Sequence, residues 1–186
     1  MQPRYIAIAG NIGAGKSSLV EFLTRSYGIE PFYEPNDENP YLADFYRDMK
    51  RWAFQSQLFF LSNKFRIHQQ ADRVPGLVIQ DRTIWEDAEI FAKNLHRGRY
   101  INKRDWQTYS ELYHTILKDL TPPDVMIFLR CPVKTMRQRI RQRGRPQRFD
   151  IAPTPIAAVG DLEAGTQLLQ VAISTGAHQL RYRYRV

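Results

Sequence analysis

The chain has 186 residues, of which 43% are hydrophobic and 25% charged, and this composition predicts one water-soluble domain with a sizeable core. No apolar run reaches about 18 residues, which argues against a membrane-spanning helix, and the N-terminus lacks the pattern of a signal peptide. A single cysteine, Cys131, excludes an internal disulfide and is typical of a cytoplasmic protein, while four scattered histidines offer no zinc-binding spacing. The net charge of +8 comes from residues 130–148, which hold eight basic and no acidic side chains.

The first part of the chain alternates short strands with helices. "YIAIAG" (5–10) predicts a buried strand, and the helical pattern that follows it stops at Gly28. Residues 29–35 predict a weaker strand, since Pro31 would have to lie near its beginning. Helical periodicity then runs from Asn39 to about Gln70, and its length predicts a break near residues 48–50.

The next part continues this alternation. "GLVIQD" (76–81) and "DVMIFLR" (124–130) predict two more buried strands, with helices at about 83–96 and 103–119 between them. A last helix is expected from Cys131-Pro132 to Gly144. Strands that alternate with helices indicate an α/β fold in which a parallel sheet carries helices on both faces.

One motif in this pattern is typical of phosphate binding. "GNIGAGKS" (10–17) fits G-x-x-x-x-G-K-[ST] between a predicted strand and a predicted helix, which is the context of a P-loop. Its backbone N–H groups would bind phosphate oxygens, Lys16 would reach the β and γ phosphates, and Ser17 would ligate Mg²⁺. The alternative, a glycine-rich turn with an accidental lysine, is disfavoured because a chance match in such a chain is on the order of 1%. The predicted phosphate-binding residues are Gly10, Asn11, Gly13, Ala14, Gly15, Lys16, Ser17 and Ser18.

Two carboxylates stand at the ends of predicted strands. Glu34 ends the weaker strand, and Asp81 ends "GLVIQD" with Arg82 directly after it. The carboxyl ends of parallel strands meet at one edge of a sheet, so these side chains and the P-loop should converge. One carboxylate could then take a proton from an attacking hydroxyl, while Asp81 holds Mg²⁺ directly or through water and Arg82 neutralises charge on the transferred group. The alternative for each carboxylate alone is a solvated loop acid.

Together these motifs resemble the deoxynucleoside kinase family. "GNIGAGKSS", "YEP", "NPYL", "FYRDMKRWAFQSQLFFLSNKF", "DRTIWEDAEIFAKNL" and "RQRGR" occur in the order and spacing of that family, over about residues 4–146. The residues within these motifs are similar to those of the bacterial deoxyadenosine/deoxyguanosine kinase branch. The resemblance implies a three-layer fold of the P-loop NTPase type with an arginine-rich lid. It also implies Mg²⁺-dependent transfer of the ATP γ-phosphate to the 5′-hydroxyl of a deoxynucleoside, and a homodimer.

The resemblance also implies roles for individual residues. Glu34 would be the general base on the 5′-hydroxyl, with Arg82 alongside as a catalytic and substrate-binding residue. The remaining substrate contacts would be Tyr46 at the sugar 3′-hydroxyl, Gln57 and Asp87 at the base edge, Phe91 stacked on the base, and Lys64 holding Asp87 ionised. An ionised Asp87 only accepts hydrogen bonds, which favours a purine, with cytosine as an alternative, over thymine. Gln57 could instead be a plain surface amide, and most aromatic side chains near Tyr46 could simply be core.

The arginine-rich segment at about 136–148 would form the lid. The resemblance places Arg139, Arg143 and Arg145 over the ATP phosphates, where guanidinium groups match phosphate oxygens. Arg137 and Arg141 would then be solvated or paired outward. No aromatic or polar base readers accompany these arginines, which argues against nucleic acid as a partner.

The resemblance stops after Pro146. Gln147 and Arg148 stand where family members have an acidic pair, and residues 149–186 lack the expected continuation. We therefore expect a kinase domain over 1–148 and an atypical segment over 149–186, which is either a frame-altered or a divergent ending. This departure keeps open an inactive nucleotide-binding module. A nucleoside monophosphate kinase is the nearest alternative enzyme, although a base such as Glu34 is unwelcome beside an anionic phosphate acceptor.

Overall fold

The computed structural model describes residues 4–33 and 39–142. Within them lies one parallel sheet of four strands in the order β2-β3-β1-β4. The strands are β1 (Tyr5–Gly10), β2 (Glu30–Phe32), β3 (Val78–Asp81) and β4 (Val125–Leu129). The predicted parallel sheet is therefore confirmed, and the weaker strand lies at one edge as its proline requires.

The helices follow the predicted order. They are α1 (Lys16–Tyr27), α2 (Leu42–Arg47), α3 (Met49–Arg73), α4 (Ile84–Glu86), α5 (Lys93–Arg97), α6 (Lys103–Ile116) and α7 (Val133–Gln142). The expected break in the long helix is confirmed at Asp48, which ends α2 and caps α3 by accepting a hydrogen bond from the backbone N–H of Arg51 at 3.1 Å. None of the described helices is long and apolar enough to cross a membrane.

The stretch between β3 and α6 differs from the single regular helix that its pattern predicts. Between α4 and α5 the backbone forms a π-helical segment, Asp87–Ala92. Such wide turns are rare and occur most often at functional sites. The segment carries Asp87 and Phe91, two of the predicted substrate contacts, so the departure from regular helix falls where the site is expected.

Apolar side chains cover the two faces of the sheet separately. On one face Tyr5 and Val78 pack with Leu61 of α3 and Tyr109 of α6. On the opposite face Ile8 and Ile79 pack with Val20 of α1. The described residues thus form the three layers that a parallel sheet needs to bury both faces, which confirms the predicted fold class.

Candidate active site

The ends of β1 and β3 bring the P-loop and the Asp81-Arg82 pair together. Ile8 of β1 lies opposite Asp81 in the parallel register, and the backbone N–H of Arg82 donates to the Ile8 carbonyl at 3.0 Å. The glycine-rich loop leaves β1 at the same edge and enters α1 at Lys16. This is the carboxyl edge of the sheet, where α/β proteins bind ligands. Glu34, the predicted general base, lies outside the described residues.

The backbone of the loop depends on its glycines. Gly10, Gly13 and Gly15 have φ angles of 143°, 80° and 104°, which side chains rarely tolerate. A Cβ atom on Gly10 would lie 2.8 Å from the Leu129 carbonyl oxygen, and one on Gly13 would lie 3.2 Å from the Met136 carbonyl oxygen. The loop is therefore packed between β4 and α7, in a conformation that requires glycine.

The side chain of Lys16 is buried against the first residues of the P-loop. Its Nζ donates to the carbonyl oxygens of Gly10 at 2.8 Å and of Asn11 at 3.2 Å. The position of Lys16 at the first turn of α1 puts its charge beside the N-terminal end of the helix, where anions bind. The ammonium group is thus held where a phosphate oxygen could replace one of the two carbonyls as its partner.

Ser17 and Asp81 form the pair that was predicted to hold a metal. The Ser17 hydroxyl donates to Oδ2 of Asp81 at 2.7 Å. The other oxygen, Oδ1, is buried and has no hydrogen-bond partner among the described residues. Mg²⁺ in phosphate-transfer sites takes one or two such oxygens, with waters and phosphate oxygens completing the octahedron. The hydroxyl–carboxylate pair fits that ion.

Arg82 has a left-handed backbone, with φ at 61°, which is uncommon for a residue other than glycine. Its side chain is buried, and the guanidinium carbon lies 4.3 Å from the centroid of the Phe91 ring. A guanidinium in this position is attracted by the negative face of the ring. The side chain predicted to neutralise the transferred phosphate is thus fixed beside a residue predicted to stack on the base.

Lys64 binds the backbone of the Asp81-Arg82 turn. It is fully buried in α3, and its Nζ donates to the backbone carbonyl of Arg82 at 2.6 Å and to that of Asp81 at 3.4 Å. The same Nζ lies 4.0 Å from Oδ2 of Asp87. Lys64 therefore faces Asp87 at ion-pair distance and also binds the backbone of the strained Arg82 turn, a contact that sequence reasoning did not anticipate.

Gln57 and Asp87 are both buried. Gln57 is 6% exposed, so the alternative reading of it as a surface amide is wrong. Its Oε1 has no hydrogen-bond partner within the part of the chain that is described. Gln57 lies two helical turns before Lys64 on α3, so the two side chains share a face of that helix. Burial and the negative charge of Asp87 raise the pKa of the Tyr109 hydroxyl, which therefore stays neutral.

Tyr46 belongs to a different part of the molecule. It lies on α2 with its ring 5.3 Å from that of Phe45, at the edge of an apolar cluster that also contains Ile101. Phe91, by contrast, packs against the cluster on the sheet. The packing of Tyr46 is what an ordinary half-buried core residue shows, and its predicted sugar contact stays a prediction.

The helix α7, where the predicted lid begins, contacts the P-loop through Arg139. Nη1 of Arg139 donates to the carbonyl oxygens of Gly13 at 3.3 Å and Ala14 at 3.1 Å. Arg137 and Arg141 are exposed to solvent, as expected. Arg143 and Arg145 lie outside the described residues. Of the three predicted lid arginines, the structure therefore describes Arg139 alone, and it places this residue on the phosphate-binding loop.

Comparison with known proteins identifies the family. The family model described as "Deoxynucleoside kinase" matches residues 6–154. The chain belongs to the deoxynucleoside kinase family. The match extends to residue 154, whereas the resemblance was expected to end after Pro146.

Several relatives support the assignment of this chain to the family. It is 38% identical over 144 residues to the deoxyadenosine/deoxycytidine kinase of Bacillus subtilis, covering 75% of this chain and 65% of the relative. It is 40% identical over 146 residues to a deoxyguanosine kinase of Lactobacillus acidophilus, covering 76% of this chain and 63% of the relative. The chain thus spans slightly less than two thirds of the length of these relatives.

A solved structure of the family has the same fold. Deoxyadenosine kinase from M. mycoides with bound dATP superposes with a TM-score of 0.79 at 30% identity, covering 92% of this chain and 87% of that one. The same M. mycoides enzyme has been solved with bound dCTP, with a TM-score of 0.78. The three-layer architecture of this chain is therefore that of a relative solved with bound dATP.

The prediction from sequence missed one buried carboxylate beside the P-loop, Glu86. This carboxylate is 1% exposed, and its Oε1 accepts a hydrogen bond from the backbone N–H of Gly10 at 3.2 Å. A signal was present in the sequence, because Glu86 lies only four residues after Arg82, and the two opposite charges approach to 3.9 Å in the structure. The motif drew attention to Asp87 instead, which is its immediate neighbour.

Proposed function

We propose that this chain transfers the γ-phosphate of ATP to the 5′-hydroxyl of a deoxynucleoside, with purine deoxynucleosides favoured and deoxycytidine as an alternative substrate. The observation that carries the proposal is the meeting of the P-loop with the Asp81-Arg82 turn, through the Ser17–Asp81 hydrogen bond of 2.7 Å. A loop that binds phosphates and a turn that carries a carboxylate and an arginine are the parts that phosphoryl transfer needs. The names of the relatives, which include deoxyadenosine, deoxyguanosine and deoxycytidine kinases, support the substrate class.

In the proposed reaction Glu34 accepts the proton of the 5′-hydroxyl while the hydroxyl oxygen attacks the γ-phosphorus. The bond between the γ-phosphorus and the bridging oxygen of ATP breaks, and ADP leaves with that oxygen. Lys16 and Arg82 stabilise the negative charge that is spread over the transferred group, a role that depends on position more than on covalent chemistry. The buried position of both cations in the structure suits this role, because charges act more strongly where water is excluded.

Mg²⁺ is the proposed cofactor, and Ser17 and Asp81 are the residues that would hold it. When bound with ATP it would neutralise phosphate charge. Ser17 would offer its hydroxyl oxygen and Asp81 the buried oxygen Oδ1, directly or through a water.

Substituting Asp81 with asparagine should therefore raise the Mg²⁺ concentration for half-maximal activity by about 10-fold or more. Asparagine keeps the size of the side chain and removes its charge, and loss of such a ligand or ligand-supporting group weakens metal affinity by about 10- to 100-fold. The measurement is initial rate against free Mg²⁺ at saturating ATP. Asp105→Asn, at the exposed start of α6, is the matched control and should keep the wild-type Mg²⁺ dependence. An Asp81→Asn enzyme with the same Mg²⁺ dependence as the wild type would remove Asp81 from the metal site.

Base recognition is assigned to Gln57 and Asp87, with Lys64 behind Asp87. The amide of Gln57 supplies both a donor and an acceptor, whereas an ionised Asp87 supplies acceptors only. Lys64 at 4.0 Å favours the ionised form of Asp87. A base with an exocyclic amino group satisfies this set, which is why thymidine should be the poorest substrate. Phe91 would then support the base through its ring.

The arginines of the lid complete the proposal. Arg139, together with Arg143 and Arg145, would close over the ATP phosphates, and the contact of Arg139 with Gly13 and Ala14 supports a lid that moves together with the loop. Tyr46 would contact the sugar. We further propose a kinase domain over 1–148, a homodimer, and a place in the cytoplasm, where ATP is available and a single unpaired cysteine is stable.

The test is ATP consumption with a panel of the four deoxynucleosides and their 5′-monophosphates. Turnover of deoxyadenosine or deoxyguanosine, weaker turnover of deoxycytidine and the least turnover of thymidine are expected. Turnover with monophosphates alone would identify a nucleoside monophosphate kinase. Binding of ATP without turnover of any acceptor would identify an inactive nucleotide-binding module.

A further inference from the structure

A buried carboxylate that the proposed reaction does not use lies between the P-loop and Arg82. Glu86 is in α4, five residues beyond the end of β3, and is almost completely excluded from solvent. Burying an ionised carboxylate is costly unless charged or hydrogen-bonding groups compensate it. An apolar residue at this position would avoid that cost, so the contacts of Glu86 indicate what it provides.

The carboxylate contacts two functional elements through one oxygen. Oε1 accepts from the backbone N–H of Gly10, the first glycine of the P-loop, at 3.2 Å. The same Oε1 lies 3.9 Å from Nε of Arg82. Glu86 therefore connects the backbone of the phosphate-binding loop to the arginine of the Asp81-Arg82 turn.

A purely local role for Glu86 does not account for these contacts. The sequence from Thr83 to Glu86 has the form of a capping box, in which the glutamate would turn back to the beginning of its own helix. Thr83 does cap α4, with its hydroxyl 3.4 Å from the backbone N–H of Glu86. Oε1 of Glu86, however, reaches the P-loop, 76 residues earlier in the chain.

The guanidinium of Arg82 lies between two partners. The Phe91 ring centroid is 4.3 Å from its central carbon, and Glu86 lies 3.9 Å from Nε. The backbone of Arg82 is itself held in the left-handed region by hydrogen bonds to Ile8 and Lys64. The long and flexible side chain of Arg82 is thereby restricted at three places: at its backbone, at Nε and at the plane of the guanidinium group.

We propose that Glu86 is a positioning residue that aligns Arg82 with the P-loop for phosphoryl transfer. Because one oxygen contacts both Gly10 and Arg82, the guanidinium is placed relative to the loop that binds the phosphates. This inference rests on the proposed kinase activity. Its consequence is kinetic, since a displacement of a catalytic group by about 1 Å can lower a rate by about 10²-fold.

Glu86→Gln is the test substitution. Glutamine retains an oxygen that can accept from Gly10 and loses the charge that attracts Arg82. We expect kcat to fall about tenfold, with KM for ATP and for the deoxynucleoside changed by less than about twofold, because Arg82 acts on charge that develops in the transition state. Glu89→Gln is the matched control, since Glu89 forms an i,i+4 pair with Lys93 at 3.0 Å two turns from Arg82, and it should keep wild-type kcat.

Arg82→Lys separates positioning from structural support. Lysine keeps the charge and loses the planar fork and its stacking on Phe91. If Glu86 acts through Arg82, then Glu86→Gln should lower kcat by less than about twofold in the Arg82→Lys background. An equal fall in kcat in both backgrounds would show that Glu86 only supports the loop, and unchanged kcat in Glu86→Gln would equally overturn the inference.

Two further results keep the test decisive. If Glu86→Gln does not fold, as judged by its thermal unfolding, Glu86→Asp replaces it, because aspartate keeps the charge but is too short to reach both partners. Wild-type kcat in Glu86→Asp would overturn the inference. A wild-type chain that phosphorylates no deoxynucleoside would instead overturn the proposed function, so the two failures are distinguishable.

Discussion

Substituting Lys16 with methionine is expected to lower kcat about 10³-fold. Methionine has a similar length and no charge, so the substitution removes the ammonium group that we propose binds the β and γ phosphates. Loss of one preorganised group that stabilises transition-state charge lowers rates by about 10²- to 10³-fold, and a full charge at the transferred phosphate belongs at the upper end. The measurement is single-turnover phosphorylation of deoxyadenosine at saturating ATP and Mg²⁺.

The structure gives a second reason why Lys16→Met should lower kcat strongly. Nζ of Lys16 also donates to the carbonyl oxygens of Gly10 and Asn11. Removing the group leaves two buried acceptors without this donor, which loosens the loop that cradles the phosphates. Lys118→Met, at an exposed position after α6, is the control and should keep wild-type kcat. A Lys16→Met enzyme within about tenfold of wild type would mean that the loop does not bind the transferred phosphate.

The parts of the fold that could be predicted from sequence are those with local causes. The strand at Tyr5–Gly10 is a short apolar run that ends in glycine, and the strand at Val78–Asp81 begins with a short apolar run and ends in aspartate. The break near residues 48–50 was predicted from the length of the helical pattern, and in the structure Asp48 caps α3 by accepting from the backbone N–H three residues later. The P-loop could be found because its backbone has φ angles that residues other than glycine rarely adopt, so glycines mark it in the sequence.

The parts that could not be predicted depend on contacts between distant residues. Glu86 reads as a helix-capping residue in sequence, yet its Oε1 binds Gly10, 76 residues away. Lys64 was assigned to Asp87 alone, whereas its shortest hydrogen bond, of 2.6 Å, goes to the Arg82 carbonyl. Both side chains are buried charges whose partners become visible only when the sheet and α3 are assembled.

The π-helical segment is a third example. Its sequence, "DAEIFA", contains no glycine or proline that would announce an irregular turn. Tertiary packing around Asp87 and Phe91 evidently decides its form, since local propensity alone favours a regular helix here. The contact between Arg82 and Phe91, with the guanidinium carbon 4.3 Å from the ring centroid, was also missed.

Glu34→Gln is the second substitution with a large expected effect. It should lower kcat while leaving binding of the deoxynucleoside nearly unchanged. Glutamine keeps the shape and hydrogen-bonding capacity of the side chain but is not a base at neutral pH. We expect kcat to fall by about 10²-fold or more, the usual scale for loss of a general base, with KM for the deoxynucleoside changed little. The role of Glu34 is the one that the family resemblance implies, and its place in the chain supports it, because β2 pairs with β3 and ends with Phe32 opposite Gln80, the residue before Asp81.

The pH dependence distinguishes this role from simple electrostatic support. In the wild type, kcat/KM should fall as pH is lowered through the pKa of the carboxyl group, because the protonated form cannot accept the proton of the 5′-hydroxyl. That acidic limb should be absent in Glu34→Gln. Glu30→Gln, on the same edge strand, is the matched control and should keep both the rate and the limb. If Glu34→Gln retains wild-type kcat, the proton must leave to another group, and Asp81 is then a candidate to test, since it ends β3, the strand next to β2.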